Sequence, residues 1–509
     1  MCTPLAYTSI FGSRCSRPRG SFLPGAVRYA ASLFWLVVLA YTPSVVAQLN
    51  PQTKSAAGAT RVFRAGAATS NITPQLGISI NGHFNDRAAE NIHDELRARC
   101  LALDDGQTRL AIVVCDSCMI PREVMDAAKQ LIAQRTRIPA DHVLISATHT
   151  HTAPTCSGVF QSDEDKDYQQ FLAVRIADGV QCAVNNLAPA KIGWSAGRVP
   201  GEVFNRRWRM KPGTVLPDPF GRTNDLVKMN PPAASPDLIE PAGPTDPEVS
   251  VISVQSADGR PLAVLVNYSL HYVGTSRSDD ISADYYGVCC DRIQWLLGAD
   301  RQAPPFVALL SNGTSGDINN INFRQKAPPR KPYEQIQYVA DVVAAEVQRV
   351  CQTIQYREWV PLSTAQKEIK LGVRLPSDAD VARAEQVLAK ARGRDLRGLE
   401  EVYARETVLL KDYPREVPLI IQTLRLGDLG IAAIPCEVFA EIGLAIKAQS
   451  PLKPTFTIEL ANGYNGYLPT PEQHKLGGYE TWRARSSYLE VEAAPTIFDT
   501  VMALFAQLK

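Results

Sequence analysis

The stretch that most constrains this chain is a strand–helix–strand pattern between Arg109 and Pro154. Arg109-Leu-Ala-Ile-Val-Val-Cys115 is a continuous apolar, β-branched run, and so is the run that follows His142. Unbroken apolar runs suit strands buried on both faces, where alternation would mark a sheet with one wet side. Arg122 to Arg137, with Pro121 at its start, reads as the connecting helix. Such a βαβ unit makes the two strands parallel and gathers the loops after their ends at one edge. Ligand sites in such sheets lie at that edge. Asp116 falls there, and so do His149 and His151 of Ser146-Ala-Thr-His-Thr-His-Thr-Ala-Pro154.

The whole chain holds seven histidines, so a His-x-His pair is not a by-product of composition. Residues two apart on a strand share a face. If the strand persists to its end, the two imidazoles stand side by side, as a metal or acid/base pair. The same arrangement recurs along the chain. Apolar runs at Leu262–Tyr268, Phe306–Leu310 and Leu429–Ile434 are followed by His271, Asp317 and Glu437. Two or three such groups with one open position suit a catalytic zinc, which activates water toward a carbonyl. A second histidine beside it would carry the proton.

Other elements read more plainly. Cys100–Leu103 is a further strand, and Asp104-Asp105-Gly106 is a hairpin turn signal. Val249–Val254 is a strand, as is Leu419–Leu426. Helices are expected over Asp167–Leu187 and Tyr333–Ile354 from their 3.6-residue apolar spacing. Residues 211–246, rich in Pro, Gly, Asp and Asn, read as a long irregular loop. Just before it, Asn205-Arg206-Arg207 could face an anion or a carbonyl. The charged stretch Ser377–Asp412 reads as an exposed helical hairpin or one long surface helix. No internal repeat is visible.

Composition sets the remaining bounds. A net charge of +1 without a basic stripe gives no reason to expect nucleic acid as a partner. Residues 1–47 read as a long secretory signal: arginines, an apolar core from Tyr29 to Tyr41, then Val45-Val46-Ala47 as cleavage site. An uncleaved anchor is the other reading, but the core is short for a membrane span. The mature protein would then be secreted or periplasmic without a stable transmembrane anchor. A flexible leader over 48–62 and a single domain over 63–509 would follow. Nine cysteines remain beyond the signal, so at least one is unpaired. Cys115-x-x-Cys118 lacks the second pair that a structural zinc site needs.

Over Arg64 to Tyr488 the chain resembles the neutral/alkaline ceramidase family. The resemblance rests on an ordered set: Ser146 to Pro154, Leu270-His271-x-x-Gly274-Thr-Ser, Ser282-Ala-Asp284-Tyr-Tyr-Gly287, Asn312 to Asp317, Pro435-Cys-Glu437, and Tyr464-Asn-Gly-Tyr467-Leu-Pro-Thr-Pro-Glu472. It implies a mixed α/β fold in four layers, two sheets flanked by helices. It also implies one zinc per chain held by His149, His271, Glu437 and Tyr467, with His151, Arg206 and Tyr479 beside the substrate carbonyl. The implied activity is cleavage of the amide of an N-acyl lipid by zinc-activated water.

Three departures stand out. The family's Gly-Asp-Val-Ser-Pro-Asn becomes Gly316-Asp317-Ile318-Asn319-Asn320-Ile321, so Asn319, a hydrogen-bond donor, replaces a serine. The family's His-x-His-Ser-Gly-Pro becomes His149-Thr-His151-Thr-Ala-Pro154. Full-length members continue into an immunoglobulin-like domain where this chain stops soon after Tyr488. The alternative reading is therefore a divergent relative that binds a ligand in the same cleft without turning it over. An amidohydrolase-type barrel, which also starts from His-x-His, would need more downstream histidines than His271 and His474.

Overall fold

A computed structural model describes residues 61–274, 276–392 and 395–509. The expected signal, its cleavage point near Ala47 and all but the last two residues of the expected leader lie outside the described residues.

The chain repeats one pattern three times. In the first pass β1 (Arg64–Asn71), β2 (Arg97–Asp104) and β3 (Arg109–Cys115) form an antiparallel meander. Helix α1 (Arg122–Thr136) then leads to β4 (Val143–Ala147), parallel to β3, and α2 (Lys166–Asn185) closes the unit. The second pass is β5 (Ala188–Arg198), β6 (Glu248–Ser256), β7 (Pro261–Tyr268), α3 (Asp284–Leu296), β8 (Val307–Asn312) and α4 (Glu334–Cys351), with β8 parallel to β7. The third starts at β9 (Leu362–Gly372) and inserts a hairpin of α5 (Asp378–Lys390) and α6 (Gly398–Leu410). It resumes with β10 (Glu416–Leu426), β11 (Leu429–Ile434), α7 (Ala440–Gln449), β12 (Thr455–Glu459), parallel to β11, and α8 (Ala493–Gln507).

The first two units share an eight-stranded sheet in the order β8-β7-β6-β5-β1-β2-β3-β4, joined where β1 pairs with β5. The third unit makes a separate four-stranded sheet, β9-β10-β11-β12. These mixed open sheets rule out the barrel reading.

Burial explains why the strand runs are unbroken. In β3, Leu110, Ile112 and Val114 join a core with Leu424, Ile431, Phe456 and Ile458 of the small sheet. Ala111, Val113 and Cys115 of the same strand join α1 and α2 on the opposite face. Helices α3 and α4 cover the other half of the large sheet, and α7 and α8 cover the outer face of the small one. The result is the expected α/β/β/α layering. Among the described residues no helix is long and apolar enough to cross a membrane.

Two regions differ from the expectation. The stretch 211–246 is not wholly irregular: Val227–Met229 and Leu238–Pro241 flank Arg207–Met210 in a three-stranded sheet. Three-residue and four-residue strands are too short to show periodicity in sequence. The charged hairpin is not wholly solvated either, because Tyr403 and Glu406 of α6 are fully buried.

Leu144 of β4 is fully buried between the two sheets. Leu144→Ala should lower the unfolding free energy by about 2–5 kcal/mol, read from the denaturant midpoint at unchanged slope.

Candidate metal centre

The chemistry-bearing residues come from the ends of the third and fourth strands of the three units. His149 follows β4, His271 follows β7, Glu437 follows β11, and Tyr464 and Tyr467 follow β12. An antiparallel bridge from Ser146 to Ala461 clips the end of β4 to the segment after β12. The two sheets therefore deliver their loops to one place.

His149 does not sit on the strand. β4 ends at Ala147, and His149 takes a left-handed backbone conformation at φ +75°. The alternation argument for His149 and His151 thus fails, yet their Nε2 atoms lie 3.2 Å apart. Left-handed backbone is uncommon for a residue with a Cβ and must be held by its surroundings. Here the His149 N–H donates to Ser117 O and its ring Nδ1 to Cys118 O, at 2.8 Å each.

The two imidazoles that face Glu437 are set the same way. His271 donates from Nδ1 to Ser315 O at 3.1 Å. A carbonyl can only accept, so in both rings Nδ1 carries a proton and Nε2 faces inward, with a lone pair to offer whenever the ring is neutral. Glu437 Oε2 lies 3.2 Å from His149 Nε2 and 4.0 Å from His271 Nε2. This oxygen is buried and makes no hydrogen bond, while Oε1 accepts from Tyr464 Oη at 3.0 Å.

Two imidazole Nε2 atoms facing an orphaned carboxylate oxygen are a poor arrangement without a cation. Burial disfavours the His149 imidazolium, but Glu437 and Cys118 more than offset it and raise its pKa. Burial and the neighbouring His149 keep His271 and His151 below the ordinary histidine range. The donors of His149, His271 and Glu437 converge closely enough to share one metal ion. Tyr467 pairs with Glu437 in a parallel bridge, and its ring lies 5.3 Å from the Arg206 guanidinium. The site's chemistry, two imidazoles with a carboxylate, fits zinc.

Around this core, His151 stacks on Tyr272 with ring centroids 3.7 Å apart, and its Nδ1 is buried without a partner. Arg206 donates from Nε to Glu480 at 2.8 Å and approaches His271 Nε2 with Nη1 at 3.4 Å, while its Nη2 is buried and unpartnered. Glu480 also takes the buried Arg207 at 2.6 Å. Burial opposes ionisation of Glu480, but the two arginines outweigh it and lower its pKa. Tyr479 stands 5.7 Å from the Tyr467 ring and lines an apolar hollow of about 220 Å³ with Phe84, Leu399 and Trp482.

Asp317 and Asn319 do not join the cluster. The Asp317 carboxylate accepts from Asn205 Nδ2 at 2.6 Å and from Ala440 N at 2.9 Å. Burial pushes its pKa up to about 6. Asn319 donates to Asn230 at 2.6 Å and accepts from Ile321 N at 2.9 Å. Both side chains are committed to structural partners. Their strand, Ile318–Asn319, pairs with Phe204–Asn205, and the Asp317 carbonyl accepts from Arg206 N at 2.8 Å. They position Arg206.

Sequence reasoning missed Glu459. This last residue of β12 accepts from Ser315 Oγ at 2.6 Å and from Val438 N at 2.7 Å. It braces the residue that holds His271 and the neighbour of Glu437 at once. Burial pushes its pKa up to about 8, with Ser315 and His149 opposing. A carboxylate closing an apolar strand was the available signal. Cys115 and Cys118 are buried free thiols, and the carbonyl of Cys118 orients His149.

The profile described as "Neutral/alkaline non-lysosomal ceramidase, N-terminal" matches residues 63–325, just over half of the chain. The chain belongs to this ceramidase family. Neutral ceramidase A of Dictyostelium discoideum is 24% identical over 272 residues, which cover 48% of this chain and 33% of that protein. The match thus spans about a third of that relative's length. Among solved structures, a ceramidase complexed with C2 superposes at TM-score 0.65 and 17% identity, covering 88% of this chain and 75% of that one. Neutral ceramidase from Pseudomonas aeruginosa gives 0.64 and 18%, covering 88% and 74%. At such identities the likeness is one of fold. Glu437 and Tyr467 lie beyond the profile match, so their place in this ceramidase-family chain is read from the geometry above.

Gly82 tests the packing around His151. Its φ is +98°, and a Cβ there would fall 2.4 Å from His151 Cγ, whereas Gly77, at φ +88°, has open space. Gly77→Ala should cost about 1–2 kcal/mol for the left-handed backbone alone. Gly82→Ala should cost at least about 1 kcal/mol more by overpacking, measured by denaturant unfolding of both variants.

Proposed function

We propose that this chain is a secreted or periplasmic, zinc-dependent hydrolase of a C–N amide bond in an N-acyl, ceramide-like lipid. The observation that carries the reading is the orphaned Glu437 Oε2 facing the Nε2 atoms of His149 and His271. Family membership supports the substrate class, and the apolar hollow beside Tyr479 suits an alkyl chain.

His149, His271, Glu437 and Tyr467 would hold one zinc, which supplies activation of water and polarisation of the amide carbonyl. The protein residues supply the rest. His151 is neutral at pH 7, held there by burial and its cationic neighbours. Its Nε2 faces the cluster and takes up a proton, which it returns to the leaving amine. Arg206 presents the unpartnered Nη2 to charge developing on the carbonyl oxygen, and Glu480 fixes its direction. Tyr479 steadies the same oxygen from the hollow's rim. The charge-reinforced arrangement of Arg206 costs little reorganisation during reaction because its partners are already in place.

The second reading, a ligand-binding relative without turnover, is motivated by Asn319 in the position of the family serine. Asn319 is committed to Asn230 and Ile321, away from the lone pairs of the cluster.

Metal analysis of the purified protein should find about one zinc per chain, and His149→Ala should lose it. His151→Ala should keep the zinc and lose about 10²–10⁴-fold in turnover of an N-acyl-sphingosine. Unchanged zinc in His149→Ala would remove the metal assignment. A zinc-loaded wild type inert on a panel of N-acyl amides would favour the ligand-binding reading.

A further inference from the structure

Four arginines, Arg222, Arg374, Arg383 and Arg483, line a separate hollow of about 340 Å³ together with Phe220 and Asp380. They come from four parts of the chain: the loop before the three-stranded sheet's second strand, the segment just after β9, helix α5 and the segment after Tyr479. The charges do not balance. Arg222 pairs with Asp218 at 2.7 Å, Arg383 with Glu400 at 3.4 Å, and Arg483 with Asp380 at 3.0 Å. Arg374 has no carboxylate partner among the described residues. Its donors go to the carbonyls of Leu489, Thr481 and Ser487 and to Ser487 Oγ.

Arg483 adds a second deficit, because its Nε is buried without a hydrogen-bond partner. Burial, with Arg483 and Arg222 adding like charge, brings the Arg374 pKa down to about 10. Asp380 is already shared, since the same oxygen accepts from Ser377 at the start of α5. Four cations around a cavity with three committed carboxylates leave one positive charge for an anion to neutralise. Planar guanidinium forks match the several oxygens of a tetrahedral oxyanion.

We propose that this hollow binds a phosphate-type oxyanion, free or as the head group of a lipid. The ligand would lie among the four guanidiniums, with Phe220 under Arg222 and Arg483 as an apolar floor. Arg374 already holds the carbonyls of Thr481 and Ser487, in the segment that carries Tyr479 and Glu480. An anion here would therefore tie that segment to the loop around Arg222 and to α5. The site is distinct from the metal cluster and does not depend on the hydrolase reading.

The full chain is titrated calorimetrically with sodium phosphate against sodium chloride at equal ionic strength. Its co-sedimentation with phosphatidylcholine vesicles, with and without phosphatidic acid, is measured in parallel. Arg374 grips four acceptors and its removal risks unfolding, so the test variant is Arg222→Gln/Arg383→Gln, which leaves that network intact. Saturable phosphate binding, weakened about tenfold or more in the variant, supports the free-anion source. Phosphatidic-acid-dependent sedimentation that the variant loses, without binding of free phosphate, supports the lipid source. Neither kind of binding in the wild type, or binding unchanged in the variant, overturns the proposal.

Discussion

The structure is organised around a buried carboxylate oxygen that has no hydrogen bond. Glu437 Oε2 sits in the interior between the inward Nε2 atoms of two imidazoles. Leaving such a group unsatisfied costs several kcal/mol unless a cation joins it. The cost is built in by parts that are themselves fixed. Cys118 O and Ser315 O set the tautomers of His149 and His271, Glu459 sets Ser315, and Tyr464 holds the other Glu437 oxygen. Second-layer hydrogen bonds of this kind orient metal ligands and tune their basicity.

The repeated βββαβα unit explains how residues nearly 300 positions apart reach that oxygen. Each unit aims the ends of its third and fourth strands in one direction, and the two sheets meet face to face through an apolar core. The bridge from Ser146 to Ala461 and the hydrogen bond from Asn462 N to Ile145 O lock the edges in register. Arg206 enters from outside this scheme. It is carried by the strand pair Phe204–Asn205 with Ile318–Asn319 and held by Glu480. The cleft is thus a joint product of sheet topology and two inserted loops.

Much of this was legible in the residues, for physical reasons. β3, β4, β7 and β11 stood out because strands buried on both faces must be continuously apolar, α1 because Pro121 opens it, and α4 because one face alone is buried. The polar residues that end those runs include His149, His271 and Glu437, which the fold brings together. Other features left no such trace. The threefold repeat is one of burial and direction, and many different apolar sequences satisfy it. The left-handed turn at His149 is enforced by backbone carbonyls, which carry no residue-type signature. Asp317 has the same strand-end placement as Glu437, and only the coordinates reveal that its oxygens are spent on Asn205 and Ala440. The ordered motifs named the right family, while the neighbours that brace them, Glu459 above all, needed the fold.

X-ray absorption at the zinc edge of the purified protein tests the central claim most directly. The account predicts a first shell of nitrogen and oxygen only, at about 2.0–2.2 Å, with outer-shell scattering from two imidazoles. A sulfur shell at about 2.3 Å would draw Cys118 or another thiol into the site. That shell, or scattering from a single imidazole, would contradict the meeting of His149, His271 and Glu437 on one metal.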